Sequence, residues 1–190
     1  MQWCLPAIHA GLISMHIVTT DRFTLLPQLE EHAAEMFAVL SDPAIYEYEN
    51  GPPESLEWLR QRYARLESRI SPDEDEIWLN WVIRVPTGQL IGYVQATIQP
   101  NGLAAIAYEL HSDWWGQGLG RAAVQAMLTE MASRYGIRKL LALVKRPNLR
   151  SQRLLAHLGF TLAPAEEHAR RGIAEDEFLM QWPAAVAAAA

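Results

Sequence analysis

The chain predicts an α/β (α+β) domain, with a mixed, mostly antiparallel central sheet of six to seven strands flanked by about four helices. Three observations carry this expectation. Strand-like runs fill the middle of the chain and are separated by the turns Pro86-Thr87-Gly88 and Asn101-Gly102. Helix and strand periods then alternate over residues 118–162. Finally, Gly116, Gly118 and Gly120 occupy every second position where a strand gives way to a helix.

Taken in order, residues 16–26 have strand character. Residues 29–40 have helical spacing, with Ala33, Met36, Phe37 and Leu40 on one side. Ser41-Asp42-Pro43 ends that helix, because the residue before a proline disfavours helical geometry. A second helix is predicted over 53–70, with Pro53 and Glu54 in its first turn and Leu56, Leu59, Tyr63, Leu66 and Ile70 on one stripe. The acidic loop 71–76 reads as a solvated connection to a hairpin, 77–85 with 89–98, followed by a strand over 103–111. A helix over 118–135, a strand over 139–144, a helix over 149–158 and a strand over 160–162 come next. A last strand, 174–182, pairs back into the sheet. No internal repeat and no long linker divides the chain, so residues 15–182 form one domain.

Composition narrows the class. Half of the 190 residues are hydrophobic and 20% are charged, ordinary proportions for a globular protein able to bury a core. A net charge of −6 argues against a nonspecific nucleic-acid partner and suits a cationic or amine ligand. Cys4 is the single cysteine, so an intrachain disulfide and a cysteine metal cluster are both impossible, and a reducing, cytoplasmic setting is expected. The histidines show no metal-ligand spacing, and no metal is expected. Residues 1–14 are apolar but lack a basic flank and a cleavage site, and they are too short to span a bilayer. They read as a dispensable, disordered leader, with Met15 as an alternative start. Residues 183–190 read as an alanine-rich tail.

The glycine junction carries chemistry. In Tyr108–Val124, Y-E-L-H-S-D-W-W-G-Q-G-L-G-R-A-A-V, the glycines allow a tight turn and clear side chains away from the amides. A helix N-terminus also offers unpaired N–H groups and partial positive charge. That combination suits a phosphate or pyrophosphate, although a plain glycine-rich turn would read the same way. A second motif follows the buried-looking run 140–144: N-L-R-S-Q-R-L-L-A-H-L-G-F over 148–160.

Together, W-G-Q-G-L-G and N-x-x-S-x-R-L-L-x-x-L-G-F resemble the GNAT acetyltransferase superfamily, and more narrowly its ribosomal-protein N-terminal acetyltransferase-like branch. That branch accepts a tryptophan at Trp115, where other members carry Arg or Gln. The resemblance implies a V-shaped cleft between the strands 103–111 and 139–144. It implies that the pantetheine arm of acetyl-CoA pairs with the backbone of Leu110 like an added strand. The pyrophosphate would rest on the amides of Gln117, Gly118, Leu119, Gly120 and Arg121, so that valine at Gly118 or Gly120 would block it.

For catalysis, Asn148 falls on the family's cleft asparagine and could bind pantetheine or water, and it is also a natural helix N-cap. A tyrosine proton donor common in the superfamily corresponds to Leu155 and is missing, which makes Ser151 the candidate for protonating the departing thiol. Glu109 is the candidate general base, with a plain surface carboxylate as the other reading. His111 is the alternative base, imidazole being a group that titrates near neutrality. Two further glutamate positions of the superfamily correspond to Ala104 and Leu143. Trp58 lies on the helix that overhangs the acceptor pocket, whereas Trp78, Trp81, Trp114 and Trp115 read more readily as core.

The expected activity is acetyl-CoA-dependent N-acetylation of a primary amine, foremost a protein N-terminal α-amino group. The alternatives are an amino acid, polyamine or aminoglycoside acceptor, or a non-catalytic acyl-CoA-binding module. Expected partners are acetyl-CoA and the amine, without nucleic acid or membrane, the protein being a monomer or homodimer.

Overall fold

The computed structural model describes residues 13–48, 51–137 and 139–182. Eight strands form one sheet in the order β1-β2-β3-β4-β5-β6-β8-β7. They are β1 (Val18–Thr19), β2 (Thr24–Pro27), β3 (Ile77–Arg84), β4 (Leu90–Ile98), β5 (Leu103–Leu110), β6 (Lys139–Lys145), β7 (Thr161–Leu162) and β8 (Glu177–Trp182). The helices are α1 (Ala33–Leu40), α2 (Leu56–Leu66), α3 (Leu119–Arg134), α4 (Leu149–His157) and α5 (Ala165–Arg171).

Alternation along β3 divides the core between the two faces of the sheet. Leu79, Trp81 and Ile83 join Val124, Met127 and Met131 of α3, while Val82 packs with Met36 of α1 and Leu59 of α2. Trp81 is fully buried and donates its indole N–H to the His16 carbonyl at 3.0 Å. The remaining strand pairs are antiparallel, but β5 and β6 run parallel and share only Leu103–Ala105 against Lys139–Leu141. Beyond Ala105 and Leu141 the two strands separate. This opens the V-shaped cleft that the resemblance implies.

Four elements differ from expectation. Residues 16–26 form two short strands because Thr20 closes a turn: its N–H and its hydroxyl both donate to the Phe23 carbonyl, and its Oγ1 also accepts from the Phe23 amide. The sheet therefore has eight strands. Helix α2 begins after Ser55, whose Oγ accepts from the Trp58 amide at 3.0 Å, so Pro53 precedes the helix. It ends at Leu66, and Arg69 then takes a left-handed φ of 64°. Strand β8 starts at Glu177, and α5 was not anticipated.

Of the stretch read as a leader, residues 1–12 lie outside the described residues, as does the tail 183–190. Ile13 packs against the main core, and the Ser14 carbonyl accepts from the Tyr135 hydroxyl at 3.1 Å. Among the described residues no helix is long and apolar enough to cross a membrane, and no group of His, Cys, Asp and Glu could hold a metal ion.

Candidate active site

The glycine loop is built by backbone geometry. Gly116 and Gly118 both adopt φ 74°, a left-handed conformation that residues with a Cβ rarely take. Gly118 is the N-cap of α3 and no side chain caps that helix, so its first-turn amides are available to a ligand. The loop is braced from outside: the Arg22 guanidinium donates to the Gln117 carbonyl at 2.9 Å, and Gln117 Nε2 donates to the Asp113 carbonyl at 3.0 Å. Gly120 has a different role. A Cβ there would meet Leu154 and Leu110 side chains at 3.4 and 3.6 Å, ordinary contacts at the wall of the adjoining cavity.

This distinction sets up a test. Gly118→Ala should cost about 1–2 kcal/mol, because alanine must be held in the left-handed region. Gly120→Ala sits inside a helix with ordinary contacts and should be neutral or stabilising by about 0.5–1 kcal/mol. Urea unfolding of both variants checks the contrast.

A cavity of about 590 Å³ runs from this loop along α4, lined by Leu110, Trp114, Trp115, Arg121, Asn148 and Ser151 among others. Trp114 and Trp115, read as core from sequence, serve both the core edge and this cavity. The Trp115 indole donates to the Leu110 carbonyl at 2.8 Å, and Arg150 stacks on the same ring with its guanidinium carbon 3.5 Å from the centroid. The His111 amide bonds the Ile91 carbonyl, so the alternation of a sheet ladder turns the backbone groups of Leu110 towards the cleft. Asn148 does cap α4, its Oδ1 accepting from the Ser151 amide at 3.0 Å. Asn148→Ala should therefore cost about 1 kcal/mol in a denaturation experiment. Leu155 is fully buried in the core, so the position of the absent tyrosine offers no polar group. The hydroxyls of Ser151 and Tyr108 instead lie 2.7 Å apart.

A second cavity of about 510 Å³ opens on the other side of β5, lined by Gln28, Tyr46, Trp58, Arg62, Tyr63 and Glu109 among others. Trp58 lines this cavity, with the Arg62 guanidinium carbon 5.7 Å from its ring centroid. Glu109 lines both cavities and also the small cleft of about 100 Å³ between β5 and β6. Among the described residues it is the one common to all three, and it hydrogen-bonds the Tyr93 hydroxyl. Burial, and after it the charge of Glu109, pushes the Tyr46 and Tyr93 phenols above their ordinary range. For Tyr63 burial again leads, with Arg62 opposing it and Glu109 adding to it. These phenols remain neutral; of the three, Tyr93 bonds the carboxylate, while Tyr46 donates to the Leu40 carbonyl at 2.8 Å.

His111 lines neither large cavity. Its Nδ1 accepts from the Asp113 amide at 3.3 Å and lies 3.8 Å from Asp42 Oδ2. Asp42 in turn accepts from the Ser112 and Ala44 amides; burial opposes its ionisation, but these bonds hold the carboxyl below its usual range. The acidic loop 71–76 lies away from both cavities.

Sequence reasoning missed Gln28, Tyr46, Arg62, Tyr93 and the pairing of Tyr108 with Ser151. No local motif brings them together, since tertiary packing places each: Gln28 and Tyr93 through the sheet, Arg62 through α2 and Tyr46 through the turn Pro43–Tyr46.

A splayed sheet with a glycine-walled helix N-terminus beside the splay defines an acyl-CoA-dependent transferase. Residues 22–161, well over half of the chain, match the acetyltransferase (GNAT) domain family, and the chain belongs to it. It is an N-acetyltransferase that uses acetyl-CoA. It is 26% identical over 147 residues to YoaA, an uncharacterised N-acetyltransferase of Bacillus subtilis, covering 76% of this chain and 82% of that protein. Two solved structures share the fold. A ribosomal-protein-S5-alanine acetyltransferase from Vibrio fischeri superposes with a TM-score of 0.73 at 18% identity, over 88% of this chain and 96% of the other. A spermidine N-acetyltransferase chimera from Vibrio cholerae gives 0.68 at 20% identity, over 84% and 93%. At these identities the likeness speaks to fold alone.

Proposed function

We propose that this enzyme acetylates the α-amino group of a protein N-terminus, in the cytoplasm. The observation that carries the reading is the polarity of the acceptor cavity. Gln28 and Tyr63 line it and are each only 3% exposed, yet Gln28 Nε2 and Tyr63 Oη have no hydrogen-bond partner in the protein. A buried donor left unpaired costs about 1–3 kcal/mol, so a small rotation of either side chain towards a bound acceptor that supplies an oxygen would be favoured. A peptide N-terminus presents its amine and, three bonds away, a carbonyl oxygen that the Gln28 amide could meet. A protonated polyamine could pair with Glu54 or Glu109 but brings no oxygen for Gln28 or Tyr63.

In this reading Glu109 takes the amine proton, since it lies where the two large cavities meet. The Leu110 backbone receives the pantetheine arm, sharing its carbonyl with the Trp115 indole. The amides of Gln117, Gly118, Leu119, Gly120 and Arg121 cradle the pyrophosphate, and Asn148 fixes the start of α4 beside it. Ser151 protonates the departing sulfur. Positioning of amine and thioester across the narrow junction supplies much of the remaining acceleration.

Steady-state acetylation of short N-terminal peptides, free amino acids and spermidine tests the acceptor. Peptides should exceed both other classes in kcat/KM by about 10- to 10²-fold, the factor that corresponds to the 1–3 kcal/mol cost of one buried polar group left unpaired. Preference for spermidine or for a free amino acid would overturn the reading.

A further inference from the structure

Tyr108 on β5 and Ser151 in the first turn of α4 are 43 positions apart in the chain, yet their hydroxyl oxygens are 2.7 Å apart. Both residues line the cofactor cavity and the cleft where β5 and β6 part. The contact is held from both sides. Sheet pairing with Val94 fixes Tyr108, and the Asn148 side chain fixes the Ser151 amide. The Tyr108 hydroxyl also lies 3.4 Å from the Ser151 carbonyl oxygen, within the same turn of α4.

The chemistry of thiol departure gives this pair a use. A serine that gives its proton to sulfur becomes an alkoxide, a far stronger base than the thiolate it has quenched. A phenol titrates near 10 and a thiol near 8.5, so the mismatch of about 1.5 units between them is small. A phenol one hydrogen bond behind the serine removes the alkoxide as fast as it forms.

We propose that Tyr108 supplies, through Ser151, the proton that the leaving coenzyme sulfur takes up. The carbon–sulfur bond breaks with its electron pair on sulfur, sulfur accepts the Ser151 hydroxyl proton, and Ser151 Oγ accepts the Tyr108 proton. Bulk water then reprotonates the phenolate. Ser151 faces the reacting sulfur, and Tyr108 acts behind it as a positioning residue. The inference rests on the reading of Ser151 given above, and is independent of which amine accepts the acetyl group.

The test measures kcat, the KM for acetyl-CoA and the calorimetric affinity for coenzyme A, across pH, with any amine the wild-type enzyme turns over. Tyr108→Phe and Ser151→Ala should each lower kcat by about 10²-fold, at the low end of general acid–base effects. KM and coenzyme affinity should stay within about twofold, as for an interaction made only in the transition state. The double variant should be no slower than the slower single, because residues acting as a unit are not additive. The alkaline limb of the kcat profile should disappear in Tyr108→Phe, and Ser151→Thr, which keeps the hydroxyl, should retain most turnover. A fast Tyr108→Phe beside a slow Ser151→Ala would overturn the relay alone. Losses that multiply in the double variant, or a coenzyme affinity that falls in step with kcat, would overturn it too. A fast Ser151→Ala would remove the serine as donor and the relay with it.

Discussion

Glu109→Gln should lower kcat/KM for the amine acceptor by about 10²–10⁴-fold, the contribution expected of a general base. The substitution keeps the side chain's size, and the glutamine carbonyl can still accept the Tyr93 hydroxyl, so the fold and both cavities are preserved. What it removes is, among the described residues, the one carboxylate that reaches both large cavities. The acid limb of the kcat/KM profile should flatten, while coenzyme A affinity measured by calorimetry stays within about twofold. Retention of more than a fifth of wild-type turnover would assign proton removal to water and leave catalysis to positioning.

Gly92→Ala should be the most damaging small substitution in the molecule. Gly92 sits in β4 opposite Leu110, and a Cβ added there would lie 2.1 Å from the Glu109 carbonyl oxygen and 2.8 Å from the Leu110 Cα. Both neighbours are backbone, so no side-chain rotation relieves the overlap, and β4 must move away from β5. Overpacking of this severity costs about 3 kcal/mol or more. For a chain of this length that corresponds to a melting point lower by about 6–12 °C. Any protein that still folds should also turn over more slowly, because the displaced residue is Glu109 itself. A Gly92→Ala variant melting within about 2 °C of wild type would show that β4 and β5 do not approach so closely in solution.

Much of this architecture is legible in the sequence because it is local. The glycine loop, the Asn148 cap and the hairpin between β3 and β4 each announce themselves within a dozen residues. Helix α5 shows its ends in the sequence but not its period: Pro164 precedes it, Glu166 and Glu167 open it, Arg170 and Arg171 close it, and Gly172 ends it at φ 63°. Its brevity, seven residues, kept the helical period from showing. Gly92 carried a weaker signal, a lone glycine inside a strand pattern, which marks close backbone approach. The second large cavity carried little beyond Trp58 and Glu109. Gln28 reaches it from the end of β2, Tyr63 and Arg62 from α2, and Tyr93 and Glu109 from adjacent strands, so only the assembled sheet reveals the set. Tyr108 and Ser151 are likewise joined by tertiary structure, although each lies within a motif that the sequence displays.

Coenzyme held at the seam between β5 and β6 would be a structural component as well as a reactant. Three residue pairs join the first five strands to the last three, and beyond them the sheet lacks its rungs. A pantetheine arm seated in the cleft would replace those rungs, so ligand and fold would stabilise each other. By mass action, saturation at 100 times the dissociation constant adds about 2.7 kcal/mol to the unfolding free energy. Resistance to proteolysis, amide exchange and thermal inactivation would then follow the acetyl-CoA concentration around the protein. A cell short of acetyl-CoA would hold a looser and shorter-lived enzyme, and its acetylation capacity would decline through turnover of the protein as well as through loss of substrate.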